Sequence, residues 1–301
     1  MGEKKTAVSK YIDPCSDWGF KRIFGTDANK DLLIAFLNAL FQGHKQIDNI
    51  KYNKNEHKGN TRNDRNVIYD ISCKDDNNEL FILEMQRTNK NNFEDRALFY
   101  ACRCISDQAS TENKSEWEYD LKKVYMIGIL DNFVLKNSKG KKYFHDACLI
   151  YRRTGDLVSD KIWFIFVELL NFKKAESALD NELDKWLYAL KNMSKMDEIP
   201  VCLQQPIFKK LFNIAAYANL TKEEQMSYDQ DLKNKWDNYS ALSYATKTGI
   251  EQGIEQGIKQ GIEQGERRKA ISIACELKKM GLPLDQIANA IKLPIEEIPN
   301  L

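Results

Sequence analysis

Residues 67–86, "VIYDISCKDDNNELFILEMQ", set two apolar runs around a polar centre rich in Asp and Asn, which predicts a β-hairpin. Side chains on a strand alternate faces with period two. Leu80, Ile82, Glu84 and Gln86 therefore share one face, and Phe81, Leu83 and Met85 the other. In the first run Ile68, Asp70 and Ser72 lie opposite Val67, Tyr69 and Ile71. A turn centred near Asn77 sets Asp70 opposite or diagonal to Glu84, and a slip of one residue would send Asp70 to the other face. Three further apolar runs, 124–130, 144–151 and 162–169, predict strands, and "IDNIKY" a weak one. Helical spacing appears at 16–24, with Ser16 or Asp17 near the N-cap, at 28–43, which stops at Gly43, and at 92–112. Two helices, a hairpin, a helix and more strands predict an α/β layer arrangement with a mixed sheet flanked by helices.

After about residue 175 the pattern turns helical. "DNELDKWLYALKNM" and "QQPIFKKLFNIAAYANL" are amphipathic, and Thr221 with Glu224 forms a capping box ahead of a long helix. The repeat "GIEQGIEQGIKQGIEQG" occupies 249–265, and 266–301 carries two short helical patterns separated by "GLPLD" and "KLP". In the repeat, Ile250, Ile254, Ile258 and Ile262 recur every four residues, a step that overshoots a full helical turn by about 40°. The stripe winds around the helix and disfavours a left-handed coiled coil. Each glycine costs about 1 kcal/mol against alanine in a helix, so the segment reads either as a flexible spacer or as a helix clamped against a second copy. The tail has helix-turn-helix-like spacing and is expected to serve protein contact more than DNA readout. The expected organisation is a catalytic domain over 1–175, a helical extension over 176–248, the repeat over 249–265 as linker or self-association helix, and a small helical tail over 266–301.

Composition narrows the classes. The 301 residues are 43% hydrophobic and 30% charged with a net charge of +1, so no global field advertises a nucleic-acid partner. Any such partner must meet a local patch. Lys51, Lys54, Lys58, Arg62 and Arg65 form one candidate, and Lys136, Lys139, Lys141 and Lys142 another; a Lys-rich solvated loop is an equal reading of each. The seven cysteines contain no CxxC pair and the three histidines no zinc spacing, which points to a reduced, cytoplasmic setting. The longest apolar run, "IWFIFV", is too short to span a bilayer, so no membrane partner is expected. "MGEKKT" fits the N-myristoylation pattern by letter only.

The chemistry-bearing feature is the polar set inside the hairpin. Asp70, taken alone, is a strand-edge residue meeting water, and "EMQ" an exposed strand end; the surrounding apolar run and the shared parity argue against that. Buried carboxylates need partners, and two side by side raise each other's pKa. A divalent cation removes the conflict, and hard oxygen ligands suit Mg2+ or Mn2+. Asp75 and Asp76 read as turn residues, with Asn77 and Asn78 tolerant of left-handed backbone. Arg96 on the following helix reads equally as a residue that faces a phosphate or caps the site and as part of a solvated helix face.

These residues carry a family resemblance. "YIDPCSDWGFKRIFG", "YDISCKDDNNELFILEMQ", the helix containing Arg96 and Tyr100, and the "GIEQG" repeats, in this order, resemble the PD-(D/E)XK nucleases. More closely they resemble that fold's bacterial family of transposases, also called recombination-promoting nucleases. The likeness covers about residues 8–175, plus the repeat and tail. It implies a restriction-endonuclease-like core followed by an all-α C-terminal region. It also implies Mg2+- or Mn2+-dependent endonuclease cleavage of DNA, tied to recombination or mobile elements. By the same resemblance Asp70 and Glu84 would bind the metal with the carbonyl of Met85. Gln86 would be catalytic at the position usually held by Lys, and Asp17 would be the acidic residue of the first helix unless it is only a cap. Because Gln neutralises no charge, the alternative is a weak or inactive nuclease fold acting as a DNA-binding or self-associating regulator. The repeat implies a homo-oligomer.

Overall fold

The computed structural model describes residues 9–54, 56–57, 67–87, 92–109, 120–136, 138, 142–292 and 294. The expected myristoylation segment lies outside them, as do Lys58, Arg62 and Arg65 of one basic loop and Lys139 and Lys141 of the other.

The chain opens with α1 (Asp17–Phe24) and α2 (Lys30–Phe41). Short strands β1 (Ile50–Tyr52), β2 (Glu56–His57) and β3 (Val67–Ile68) precede the hairpin of β4 (Ile71–Asp75) and β5 (Leu80–Gln86). Then come α3 (Phe93–Gln108), β6 (Val124–Leu130), β7 (Phe144–Ile150) and β8 (Leu157–Glu168). α4 (Glu182–Asn192), α5 (Pro206–Ala215), α6 (Lys222–Lys279) and α7 (Leu284–Ile291) complete it. Among the described residues, six strands form one mixed sheet in the order β1-β4-β5-β6-β8-β7, and β2 pairs with β3. β5, β6 and β8 run parallel and the other neighbours antiparallel. β6, in the middle of the sheet, is apolar along its length because both faces are covered. Phe81, Leu83, Met85, Ile127 and Ile129 join Phe24, Phe36, Trp186 and Phe208 of α1, α2, α4 and α5 in one core. Leu80, Ile82, Val124 and Met126 join Phe93, Ala97 and Cys104 of α3 in the other. The residues expected as a helical extension thus include two helices that bury their apolar faces in the main core.

The hairpin turn is held by its own side chain. Asp75 Oδ1 accepts from the N–H groups of Asn77 at 3.0 Å and Glu79 at 2.9 Å, and Asn78 takes φ 60°. Ile71 pairs with Leu83, so the register brings Asp70 alongside Glu84. Parity fails at one place. Tyr69 was expected on the face of Ile71, yet it packs in the α3 core while Ile71 lies in the other. The chain bends at Asp70, between β3 and β4, which resets the alternation.

α1 starts as expected, with Ser16 as N-cap: its Oγ accepts from the Gly19 N–H at 2.9 Å. A Cβ on Gly19 would lie 2.3 Å from the Asp13 carbonyl oxygen and 2.7 Å from Ser16 Oγ. The backbone before the helix passes too close for any side chain. Gly19→Ala is therefore expected to lower stability by about 2 kcal/mol or more, read as a fall in urea midpoint with an unchanged slope.

The chain forms two compact units, Met1–Leu232 and Lys233–Leu301. α6 begins in the first at the capping box, where Thr221 N–H donates to Glu224 Oε2 at 2.9 Å and Glu224 N–H to Thr221 Oγ1 at 3.2 Å. In the second, α6 is helical through the repeat. Ile250, Ile254, Ile258 and Ile262 are each more than half exposed, and a Cβ on any repeat glycine would meet nothing within 4 Å. Gly281, at φ 82°, follows the end of α6, and Ala274, Ile287 and Ala288 pack α7 against it.

Candidate active site

The polar residues of the hairpin meet at the C-terminal end of β5. Glu84 is 4% exposed and Asp70 is largely buried. The Asp70 N–H donates to Glu84 Oε1 at 3.3 Å, and the Met85 N–H donates to Asp70 Oδ2 at 2.8 Å. Leu80 N–H and Gln86 C=O bond toward β6 and the loop after it. Alternate residues of β5 face the other edge, so the Met85 carbonyl points to the side of Asp70, beyond the last β4 pair.

Gln86 uses both ends of its amide. Its Nε2 donates to Glu84 Oε2 at 3.0 Å, and its Oε1 accepts from Arg96 Nη2. Arg96 reaches it because α3 lies close on the sheet. Gly128 of β6 pairs with Glu84, and a Cβ there would meet Phe93 Cζ at 2.6 Å and Phe166 Cδ1 at 2.9 Å. The glycine lets the Phe93 ring rest on the sheet, and Arg96 stands one turn later with its guanidinium over the Phe93 and Tyr100 rings.

From the opposite face α1 contributes Lys21. Its Nζ lies 2.8 Å from Asp17 Oδ1 and 3.8 Å from Asp70 Oδ1. Asp17, at the first position of α1, is 59% exposed and reaches the carboxylate pair through this lysine. All four candidate catalytic residues are thus gathered at one end of the sheet, three by direct hydrogen bonds and Asp17 through Lys21. Lys21 carried no expectation, although its spacing four residues after Asp17 was the available signal. Arg96 turns toward Gln86 at the end of β5.

Asp13 serves structure. Its carboxylate pairs with Arg87, the residue after Gln86, and accepts from the Cys15 N–H at 3.0 Å, while its own N–H donates to Tyr228 Oη at 2.8 Å. The "YIDPCSDW" stretch thus ties the end of β5 to the start of α1 and to α6.

The electrostatics follow from burial. Burial, then the Asp70 charge, pushes the Glu84 carboxyl up to about 8. Burial also raises Asp70, against the Met85 N–H and Lys21. For Lys21 burial disfavours the charge, but Asp17, Asp70 and Glu84 outweigh it and hold the ammonium above the ordinary lysine value. Two carboxyls that resist joint ionisation form a hard-oxygen pair whose conflict a cation would remove. Among the described residues no group of three His, Cys, Asp or Glu is placed to share a metal. Two carboxylates and a carbonyl still fit Mg2+, which keeps several of its waters.

A family model for PD-(D/E)XK nuclease family transposases matches residues 14–245, most of the chain. No curated protein and no solved structure matches it. The chain belongs to the PD-(D/E)XK nuclease family transposases, and the expected mixed sheet with flanking helices and a helical C-terminal region is the fold observed.

Proposed function

We propose that the protein is a Mg2+- or Mn2+-dependent DNA endonuclease that hydrolyses phosphodiester bonds in recombination or mobile-element processes in the bacterial cytoplasm. The observation that carries this reading is the buried Asp70–Glu84 pair, joined by a backbone N–H and flanked by Lys21 and Arg96. Asp70, Glu84 and the Met85 carbonyl would hold the cation, which when bound supplies Lewis-acid polarisation of a phosphoryl oxygen and a water of lowered pKa. The chain's own part is placement. Met85 N–H fixes Asp70, Asp70 N–H and Gln86 fix the two oxygens of Glu84, and Gln86 couples Glu84 to Arg96. Phosphoryl chemistry depends on such positioning and on charge stabilisation. The test is plasmid nicking with Mg2+, Mn2+ or EDTA. A wild-type protein that binds DNA but cuts none would instead support the regulatory alternative, which the neutral Gln86 keeps in view.

The repeat is proposed to drive self-association. Exposed isoleucines share their four-residue spacing with glycines at which an added Cβ would meet nothing within 4 Å among the described residues. A second copy of the helix carries the same isoleucines and glycines at the same spacing and so offers a matching surface. Deleting 249–301 is expected to lower the oligomeric mass measured by light scattering while nicking persists. Gly253→Ala with Gly257→Ala should favour the lone helix by about 1 kcal/mol per site yet weaken association. Unchanged mass in both variants refutes the role.

A further inference from the structure

We infer that Lys21 is the cation that meets the substrate phosphate, and that Asp17 is its tether rather than a metal ligand. This rests on the nuclease reading above and assigns the cationic part of the same site.

Hydrolysis of a phosphodiester builds negative charge on the phosphoryl oxygens, and a cation fixed beside them lowers the barrier. The hairpin contributes two carboxylates and a neutral amide, so it provides none. Arg87 is paired with Asp13, and among the described residues Lys21 and Arg96 are the cations that act on the Asp70–Glu84 pair. Arg96 is committed: its Nη2 is held by Gln86 Oε1, its Nε is buried, and its plane lies over two aromatic rings. Lys21 is different. Its side chain is 40% exposed, and its ammonium sits at the rim of the pair, 3.8 Å from Asp70 Oδ1. An ammonium has three donors on a flexible stem. One donor goes to Asp17 at 2.8 Å, which leaves the group able to turn to an incoming phosphate oxygen while staying beside Asp70.

The position of α1 makes this placement repeatable. The Ser16 cap and the close passage of Asp13 over Gly19 fix the first turn, and Lys21 lies one turn after Asp17. Asp17 is mostly exposed, and it does not join Asp70 and Glu84 in a three-carboxylate metal set. Its geometry suits holding the lysine. Asp17 is then a positioning residue and Lys21 a catalytic one.

The test compares the full-length wild type with Lys21→Met, Lys21→Arg, Asp17→Asn and Asp70→Asn. Mn2+ binding is measured by calorimetry without DNA, and nicking with Mn2+ is measured separately, on proteins matched by melting curve. Lys21→Met is expected to slow nicking about 100-fold with Mn2+ affinity unchanged or tighter, since a competing charge beside Asp70 is gone. Lys21→Arg should recover most of that loss. Asp17→Asn should slow nicking chiefly in kcat and leave Mn2+ affinity intact, whereas Asp70→Asn loses both. Lys21→Met nicking at the wild-type rate overturns the role of Lys21. Mn2+ affinity lowered tenfold by Asp17→Asn, as for a ligand, overturns that of Asp17. A wild type that cuts nothing, with or without Mn2+ binding, overturns the nuclease reading and both roles with it.

Discussion

Replacing Asp70 or Glu84 by alanine is expected to reduce metal-dependent plasmid nicking by about 10²–10⁴-fold, to the level seen with EDTA. Removing either carboxylate takes away half of the charged oxygen set, and a metal's stabilisation of the transition state is worth several kcal/mol. At about 1.4 kcal/mol per tenfold, that is the range given. The two substitutions differ in what else they disturb. Asp70→Ala also removes the acceptor of the Met85 N–H, a bond that fixes the end of β5. Glu84→Ala releases Gln86 and through it Arg96. Neither substitution removes an apolar side chain from either core, so both variants should fold and melt cooperatively. Variants that melt normally and still nick DNA at the wild-type rate would sink the proposed function.

Gln86→Lys would restore the charge usual at this position, and by charge alone cleavage would be kept or increased. In place, Gln86 donates to Glu84 and accepts from Arg96. A lysine donates but cannot accept, so it would reproduce the first contact and set an ammonium against the guanidinium. The gain in charge comes with a displaced Arg96, and Lys21 already provides a cation from the other face.

What was legible in the sequence had local causes. Period-two parity and the Asp-Asn turn placed Asp70 beside Glu84 because a hairpin's register follows from its turn. The strand 124–130 was legible because a central parallel strand is apolar on both faces. The approach of α3 depended on Gly128, whose meaning appears only when Phe93 and Phe166 are packed over it. Lys21 and Arg96 come from opposite faces of the sheet, and no local pattern says that residues of two helices so far apart in sequence meet at one carboxylate pair. Tyr69 escaped parity because the bend at Asp70 is set by the site itself, where Asp70 points its backbone N–H at Glu84. The amphipathic faces of α4 and α5 were visible, but their partners Phe24 and Phe36 were not.

The buried pair also predicts how the metal-free protein responds to pH. Glu84 has a folded-state pKa of about 8 against an ordinary 4.5, raised by burial and by Asp70. Between those values the folded protein holds a proton that the unfolded chain releases. Stability falls with rising pH wherever the folded state binds more protons. In EDTA this contribution is therefore expected to be full below about pH 4.5, to be lost through the neutral range, and to level off above about pH 8. One pKa unit corresponds to about 1.4 kcal/mol, so the whole fall is on the order of a few kcal/mol, shared with Asp70 because the two titrate together. Glu84→Gln mimics the protonated acid and does not titrate. It should melt like the wild type at pH 5 and several degrees higher at pH 8.5, with Mn2+ closing that gap by stabilising the wild type alone. The same variant should be inactive as a nuclease, so a gain in stability and a loss of cleavage would come from one carboxylate. Parallel melting curves for the two proteins across pH 5–9 in EDTA would show that Glu84 ionises at its ordinary pKa and that the pair is not strained.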